Sequence, residues 1–137
     1  MQKKIYLPVP PSVERVGKAV LDAAFKVHTA LGPGLLESVY LAVLAYELRK
    51  RGLAVDTERE LPVIYETVRI AVGFRIDMIV EEKVIVELKS VEKLAPVHQK
   101  QLLTYLRLAD KRLGLLINFG EARIKDGIQR VVNQLPE

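Results

Sequence analysis

The stretch Val68-Arg69-Ile70-Ala71-Val72-Gly73-Phe74-Arg75-Ile76-Asp77-Met78-Ile79-Val80-Glu81-Glu82-Lys83-Val84-Ile85-Val86-Glu87-Leu88-Lys89-Ser90 decides the fold. β-Branched and aromatic residues crowd two runs with charged turn material between them, so it reads as two antiparallel strands, 67–80 and 84–90. Upstream, Val55 and the Leu61–Tyr65 run supply a strand over 55–65 and complete a meander. Downstream, Pro96 suits the first position of a helix over 96–109. Leu113 to Phe119 is then nearly all apolar, as in a strand buried on both faces. A helix between strands 84–90 and 113–118 implies a crossover, hence a parallel pair.

The residues before the meander are helical in pattern. Ser12 suits an N-cap, and Val13, Val16, Val20, Ala24, Val27 and Leu31 form one apolar stripe to about Leu31. Gly32-Pro33-Gly34 stops that helix, and a second runs from about Leu35 to Arg51, ended by Gly52. Ile124, Ile128, Val131 and Val132 predict a last helix near 124–133. The order α-α-β-β-β-α-β-α defines an α/β fold. Its mixed sheet has about four strands, an antiparallel meander plus one parallel strand after a crossover helix, flanked by helices. Residues 1–11, with Pro8, Pro10 and Pro11, read as an extended arm before a single domain over 12–137.

Composition narrows the function classes. The 137 residues include no cysteine, and 21 basic against 17 acidic side chains give a formal charge of +4. Half are apolar and 28% are charged, the balance of a folded domain. Without cysteine there is no disulfide framework or thiolate chemistry, and structural zinc is a poor fit. The basic start at residues 1–8 lacks the apolar run of a signal peptide. No run approaches the roughly 18 apolar residues of a membrane span, so a cytoplasmic protein is expected. The mild positive charge permits a nucleic-acid partner without arguing for one.

The informative residues break the apolar pattern. If the strands close through Glu81-Glu82-Lys83, Val80 pairs with Val84 and Asp77 lies opposite Glu87. Opposed Cβ atoms lie about 4.5–5.5 Å apart. A loop of even length would place the two carboxylates on opposite faces, and no Gly or Asn marks the turn. Two carboxylates held that closely in apolar surroundings need compensation. A divalent cation supplies it, and carboxylate oxygens suit Mg²⁺ or Mn²⁺ over zinc or copper. Lys89 shares the face of Glu87 and is placed to hold a water or a phosphate oxygen. The set points to metal-assisted hydrolysis of a phosphodiester. A structural ion-pair cluster is the competing reading, since Glu-x-Lys recurs as Glu81-x-Lys83.

Glu37 shares a helical stripe with Tyr40, Leu41, Leu44 and Leu48. Either it answers the dipole at the helix N-terminus or it reaches the sheet as a third acidic group. Gln101 and Tyr105, four apart, share a helix face and are either the polar edge of a buried stripe or part of the site. His28 reads as a core or boundary residue, and His98 alone makes no zinc motif. Arg49-Lys50-Arg51 and Lys111-Arg112 are solvated helix ends before they are a phosphate track, and Gly32-Pro33-Gly34 lacks the lysine of a P-loop.

Assembled, the series is Gly34-x-x-Glu37-x-x-Tyr40, Gly73-x-x-x-Asp77, Glu87-x-Lys89 and Gln101-x-x-x-Tyr105. It resembles the GxxExxY family, a small-protein branch of the PD-(D/E)XK nuclease superfamily, and its order is similar to that of RecB-type nuclease domains. The resemblance spans about residues 12–133, with Leu31–Tyr40 its most specific piece, and Leu115–Gly120 is also family-like. It implies a restriction-endonuclease-like core in which Asp77 and Glu87 ligate Mg²⁺ or Mn²⁺. The Leu88 carbonyl would join them, with Glu37 binding directly or through water. Lys89 would position or activate the attacking water and stabilise developing charge, and Gln101 and Tyr105 would steady the substrate strand or the lysine. The implied function is a metal-dependent nuclease with DNA as the favoured partner. The alternative is a non-catalytic nuclease-fold module binding nucleic acid or a protein, and a homodimer is compatible with either. Three carboxylates against one lysine leave the pocket repelling DNA until a metal fills it.

Overall fold

The computed structural model describes residues 5–136, the side chain of Val72 excepted; residues 1–4 of the expected arm and Glu137 lie outside the described residues. Two helices come first, α1 (Pro11–Leu31) and α2 (Glu37–Lys50). Strands β1 (Val55–Tyr65), β2 (Val68–Val80) and β3 (Val84–Lys89) follow, then α3 (Pro96–Ala109), β4 (Leu113–Asn118), a 3-10 turn (Ile124–Gly127) and β5 (Ile128–Val132). Among the described residues, five strands form one sheet in the order β1-β2-β3-β4-β5. The β1–β2 and β2–β3 pairs are antiparallel, β3–β4 is parallel and β4–β5 antiparallel. This is the expected mixed sheet flanked by helices, with five strands where about four were expected.

The extra strand corrects the helix expected at 124–133. A four-residue step fits a helix face, but it is also an even number and therefore fits one face of a strand. Ile128 and Val132 pack on the core beneath α1 and α2, whereas Val131 packs on the opposite core beneath α3. That split needs the alternation of a strand, and pairing to β4 satisfies the backbone. Ser12 is not an N-cap either. Helix α1 starts two residues earlier, with Pro11 in the first turn and Pro10 at the cap position. Proline lacks the N–H that is unsatisfied there anyway, so no side-chain cap is required. Helix α2 begins at Glu37, two residues later than expected, and ends as predicted. Gly52 sits at φ 88°, its N–H donates to the Arg49 carbonyl, and Leu53 N–H donates to the Leu48 carbonyl.

The sheet separates two cores. Val20, Ala24, Leu44 and Leu48 from α1 and α2 pack on Met78, Val86, Leu88, Leu115 and Ile117. Leu102 and Leu106 from α3 pack on Ile79, Ile85 and Leu116. The N-terminal segment runs beside the C-terminal one: Leu7 N–H donates to the Leu135 carbonyl at 2.8 Å, and Arg112 donates to the Leu7 carbonyl at 3.0 Å.

The β2–β3 turn has the expected odd length, with Val80 opposite Val84. Glu81 and Glu82 take φ values of 54° and 52°, the left-handed pair that a type I′ turn requires. Side-chain contacts hold these non-glycine residues there. The Ala54 N–H donates to the Glu81 carboxylate, the Glu81 N–H donates back to the Ala54 carbonyl, and Arg59 grips Glu82 with both terminal nitrogens. At the other end of the hairpin the β1–β2 register shifts between Leu61 and Val63, spanning Pro62, which cannot donate to a ladder. Gly73 makes that shift feasible, because a Cβ there would stand 2.1 Å from the Leu61 carbonyl oxygen.

Candidate functional site

The site forms where β2 and β3 part. Their ladder runs Val80–Val84, Ile79–Ile85 and Met78–Val86. One step further, side chains take over from the backbone. The Asp77 N–H donates to Glu87 Oε1 at 3.0 Å, and the Leu88 N–H donates to Asp77 Oδ2 at 2.8 Å. Each carboxylate is thus bound to the strand that carries the other, which fixes both without side-chain freedom to spare. Apolar residues on the neighbouring positions force this arrangement, since Ile76, Met78, Val86 and Leu88 are all buried.

The electrostatics follow from burial. Glu87 is only 8% exposed. Desolvation, reinforced by the Asp77 charge, pushes its carboxyl from 4.5 up to about 8, against the opposing pull of the Asp77 N–H and Lys89. Desolvation likewise raises Asp77, opposed by the Leu88 N–H, the bond to Glu87 and Lys89, while Glu37 pushes it further up. Both carboxyls are therefore pushed toward the protonated form, Glu87 the more strongly, and the two lose their protons as a pair. Tyr105 is raised by burial and by the charges of Glu87 and Asp77. Its ring lies against Phe74 at a centroid distance of 5.2 Å.

A cleft of about 170 Å³ opens on Asp77, lined also by Glu37, Ser38, Leu41, Glu58 and Leu88. Glu37, in the first turn of α2, faces the sheet: its Oε1 accepts the Ser90 N–H at 3.4 Å. The Gly-x-x-Glu-x-x-Tyr spacing has a physical basis. Gly34 takes φ 103° in the α1–α2 loop. The fully buried Tyr40 pins that loop, its hydroxyl donating to the Gly32 carbonyl and accepting the Leu35 N–H. Ser90 Oγ donates to the Leu35 carbonyl at 2.6 Å, tying the same loop to the end of β3.

The Leu115–Gly120 run secures β3 from the other side. Asn118 is fully buried. Its Oδ1 accepts the N–H groups of Val91 and Gly120, each at 3.0 Å, and its Nδ2 donates to the Val91 carbonyl at 2.9 Å. Phe119 N–H donates to the Lys89 carbonyl at 2.8 Å, and its ring stacks on Tyr40 at 4.5 Å. A Cβ on Gly120 would meet the Val91 oxygen at 2.2 Å. Both family-like segments therefore grip the backbone of Lys89–Val91.

Of the residues singled out from sequence, Glu37, Asp77 and Leu88 line one cleft and Glu87 bonds to Asp77. Lys89 acts electrostatically on both carboxyls. Tyr105 lies behind them. Gln101 is exposed one helical turn away, and no described hydrogen bond joins it to the cluster. His28 is the buried residue expected, its Nε2 2.8 Å from the Glu121 carbonyl oxygen. His98 Nδ1 accepts the Ala95 N–H at the start of α3. The decoy Glu81-x-Lys83 sits in the β2–β3 turn. Asn118 and Tyr40 escaped notice as supports because buried polar and aromatic residues look alike in sequence, and Glu58 reads as one of several alternating acids on β1.

A family model described as the PD-(D/E)XK nuclease superfamily matches residues 14–131. The chain belongs to this superfamily. No curated protein and no solved structure matches it. Nucleases of this superfamily are generally dependent on a divalent metal. Among the described residues, no three His, Cys, Asp or Glu side chains converge into a ready-made cage. A hard cation such as Mg²⁺ keeps several waters and uses one or two carboxylates, so it requires no such cage. The donor set fits it: all-oxygen, carboxylate-rich, and built around Asp77 and Glu87, held together across β2 and β3 by backbone N–H groups. Among the described residues no helix is long and apolar enough to cross a membrane.

Proposed function

We propose that this chain is a Mg²⁺- or Mn²⁺-dependent nuclease of the GxxExxY type that hydrolyses phosphodiester bonds, with DNA as its preferred substrate. The observation that carries the reading is the interlock of Asp77 and Glu87 across β2 and β3, each accepting a backbone N–H at or near the other's position. A salt cluster would place a cation against each carboxylate, yet neither Asp77 nor Glu87 is in any of the described salt bridges. The nuclease domain on this reading spans 12–137, behind the arm at 1–11, and works in the cytoplasm.

Asp77, Glu87 and the Leu88 carbonyl would hold the cation, and Glu37 would hold it directly or through water. When bound, the cation supplies Lewis-acid polarisation of the phosphodiester and a lowered pKa for water. The chain's own residues do the rest. The backbone of Lys89 is fixed by Phe119 and flanked by the Ser90 and Val91 anchors. Its ammonium therefore has a defined origin from which to orient the attacking water and to neutralise charge developing on the phosphoryl oxygens. Glu37 is held toward the sheet by the Ser90 N–H, which keeps its carboxylate on the cleft beside Asp77. Tyr105 closes the apolar side behind Glu87, and Gln101, one turn earlier on α3, contacts the substrate strand.

The test is incubation of purified protein with DNA and RNA in Mg²⁺ or Mn²⁺, beside Lys89→Ala and Asp77→Asn. The expected result is cleavage by the wild type alone. Cleavage that survives both substitutions overturns the reading. Binding that falls steeply with salt, ignores metal and proceeds without cleavage identifies a non-catalytic binding module instead.

A further inference from the structure

The cleft contains one acidic residue that the superfamily series does not use. Glu58 lines it together with Glu37 and Asp77. Thr57 pairs with Met78 and Arg59 with Ile76, so the register position opposite Glu58 is Asp77. The neighbouring charges on this part of the sheet are paired: Arg59 bonds to Asp56 at 2.7 Å and to Glu82. Among the described residues, Glu58 enters no salt bridge or side-chain hydrogen bond. Its backbone takes φ 54° within β1, a left-handed conformation unusual for a non-glycine residue.

A carboxylate in this position is hard to explain by stability. Its side chain stands exposed at the edge of a cleft that already holds Asp77 and Glu37, and its backbone conformation favours glycine. The left-handed backbone disfavours the metal-free fold. The function proposed above puts a divalent cation beside Asp77, in a superfamily that is generally metal-dependent, and a cation there would draw a further carboxylate to it. We propose that Glu58 is a further metal-site residue, contributed by β1, whose carboxylate joins Asp77 in binding the divalent cation. The inference rests on the metal-dependent reading above, and it assigns the residue that closes the cleft on the side opposite α2. It also gives the left-handed residue a purpose: the turn of the backbone brings an edge-strand side chain into the cleft.

Calorimetric titration of Mn²⁺ into the full chain tests it, with Glu58→Gln, Glu58→Gly and Asp77→Asn beside the wild type, and thermal melting in chelator as a second readout. Glu58→Gln keeps the size of the side chain and removes its charge; it should weaken Mn²⁺ binding about tenfold. Glu58→Gly should weaken binding to the same extent while raising the metal-free melting temperature, because glycine relaxes the left-handed backbone. A purely structural residue would not separate these two readouts. Asp77→Asn should lose Mn²⁺ binding by at least a hundredfold. If both Glu58 variants bind Mn²⁺ as the wild type does while Asp77→Asn does not, Glu58 is excluded and the metal reading stands. If the wild type binds no Mn²⁺, both fall.

Discussion

Glu87→Gln should make the metal-free protein more stable at pH 8, although it alters a buried residue at the centre of the site. Burial moves the Glu87 carboxyl from 4.5 to about 8. The folded state therefore holds this proton more tightly than the unfolded chain between those two values. Where the native state binds more protons, stability falls as pH rises. The stability linked to Glu87 is thus fully present below pH 4.5, declines through the interval and is gone above about 8. At about 1.36 kcal/mol per decade of difference, the ceiling is roughly 5 kcal/mol. Asp77 relaxes as Glu87 ionises, and its own raised pKa acts in the same direction, so the observable loss between pH 5.5 and 8 is about 2–3 kcal/mol. Glutamine retains an oxygen to accept the Asp77 N–H and adds an amide that can donate to the Asp77 carboxylate, so the geometry persists. Urea unfolding in chelator at the two pH values measures the difference. The wild type should weaken by that amount and Glu87→Gln by less than about 1 kcal/mol, with saturating Mn²⁺ restoring the wild type alone. A wild-type stability that rises from pH 5.5 to 8, or a variant with the same slope, refutes the reasoning.

Other outcomes follow from the same geometry. Tyr40→Phe removes the hydroxyl that bridges Gly32 and Leu35 and should cost about 1–3 kcal/mol in denaturant unfolding, with a several-fold weaker Mn²⁺ affinity because the loop before Glu37 loosens. Asn118→Ala strands the buried polar groups of Val91 and should cost about 2–4 kcal/mol by the same measurement. Gly73→Ala forces a Cβ against the Leu61 carbonyl and should lower the melting temperature while leaving Mn²⁺ affinity within twofold, since the register shift lies away from the cleft. Lys89→Ala should reduce cleavage at saturating Mn²⁺ by about 10²–10⁴-fold without lowering metal affinity.

The meander and crossover were legible in sequence because burial imposes its period on the residues. The odd turn was legible only through its consequence, the registration of Asp77 with Glu87. Its own residues are silent, since Glu81 and Glu82 owe their left-handed conformations to Ala54 and Arg59, distant in the chain. The β5 strand was misread because a four-residue step serves a helix and a strand equally, and only the two-sided core distinguishes them. At the site, Asp77 and Glu87 announced themselves by interrupting apolar runs. Asn118, which clamps the backbone beyond Lys89, did not, because what it does depends on Val91, 27 residues away in sequence. Glu58 was hidden for a different reason: an acid alternating along an exposed edge is what a solvated strand face looks like.

The paired carboxylates are the centre of the account, and anomalous diffraction from a crystal soaked in Mn²⁺ addresses them most directly. One anomalous peak is expected in contact with the carboxylates of Asp77 and Glu87, with Glu37 and Lys89 within reach of its ligated waters. A Mn²⁺-saturated crystal with no peak between Asp77 and Glu87, their mutual hydrogen bonds unchanged, would contradict it.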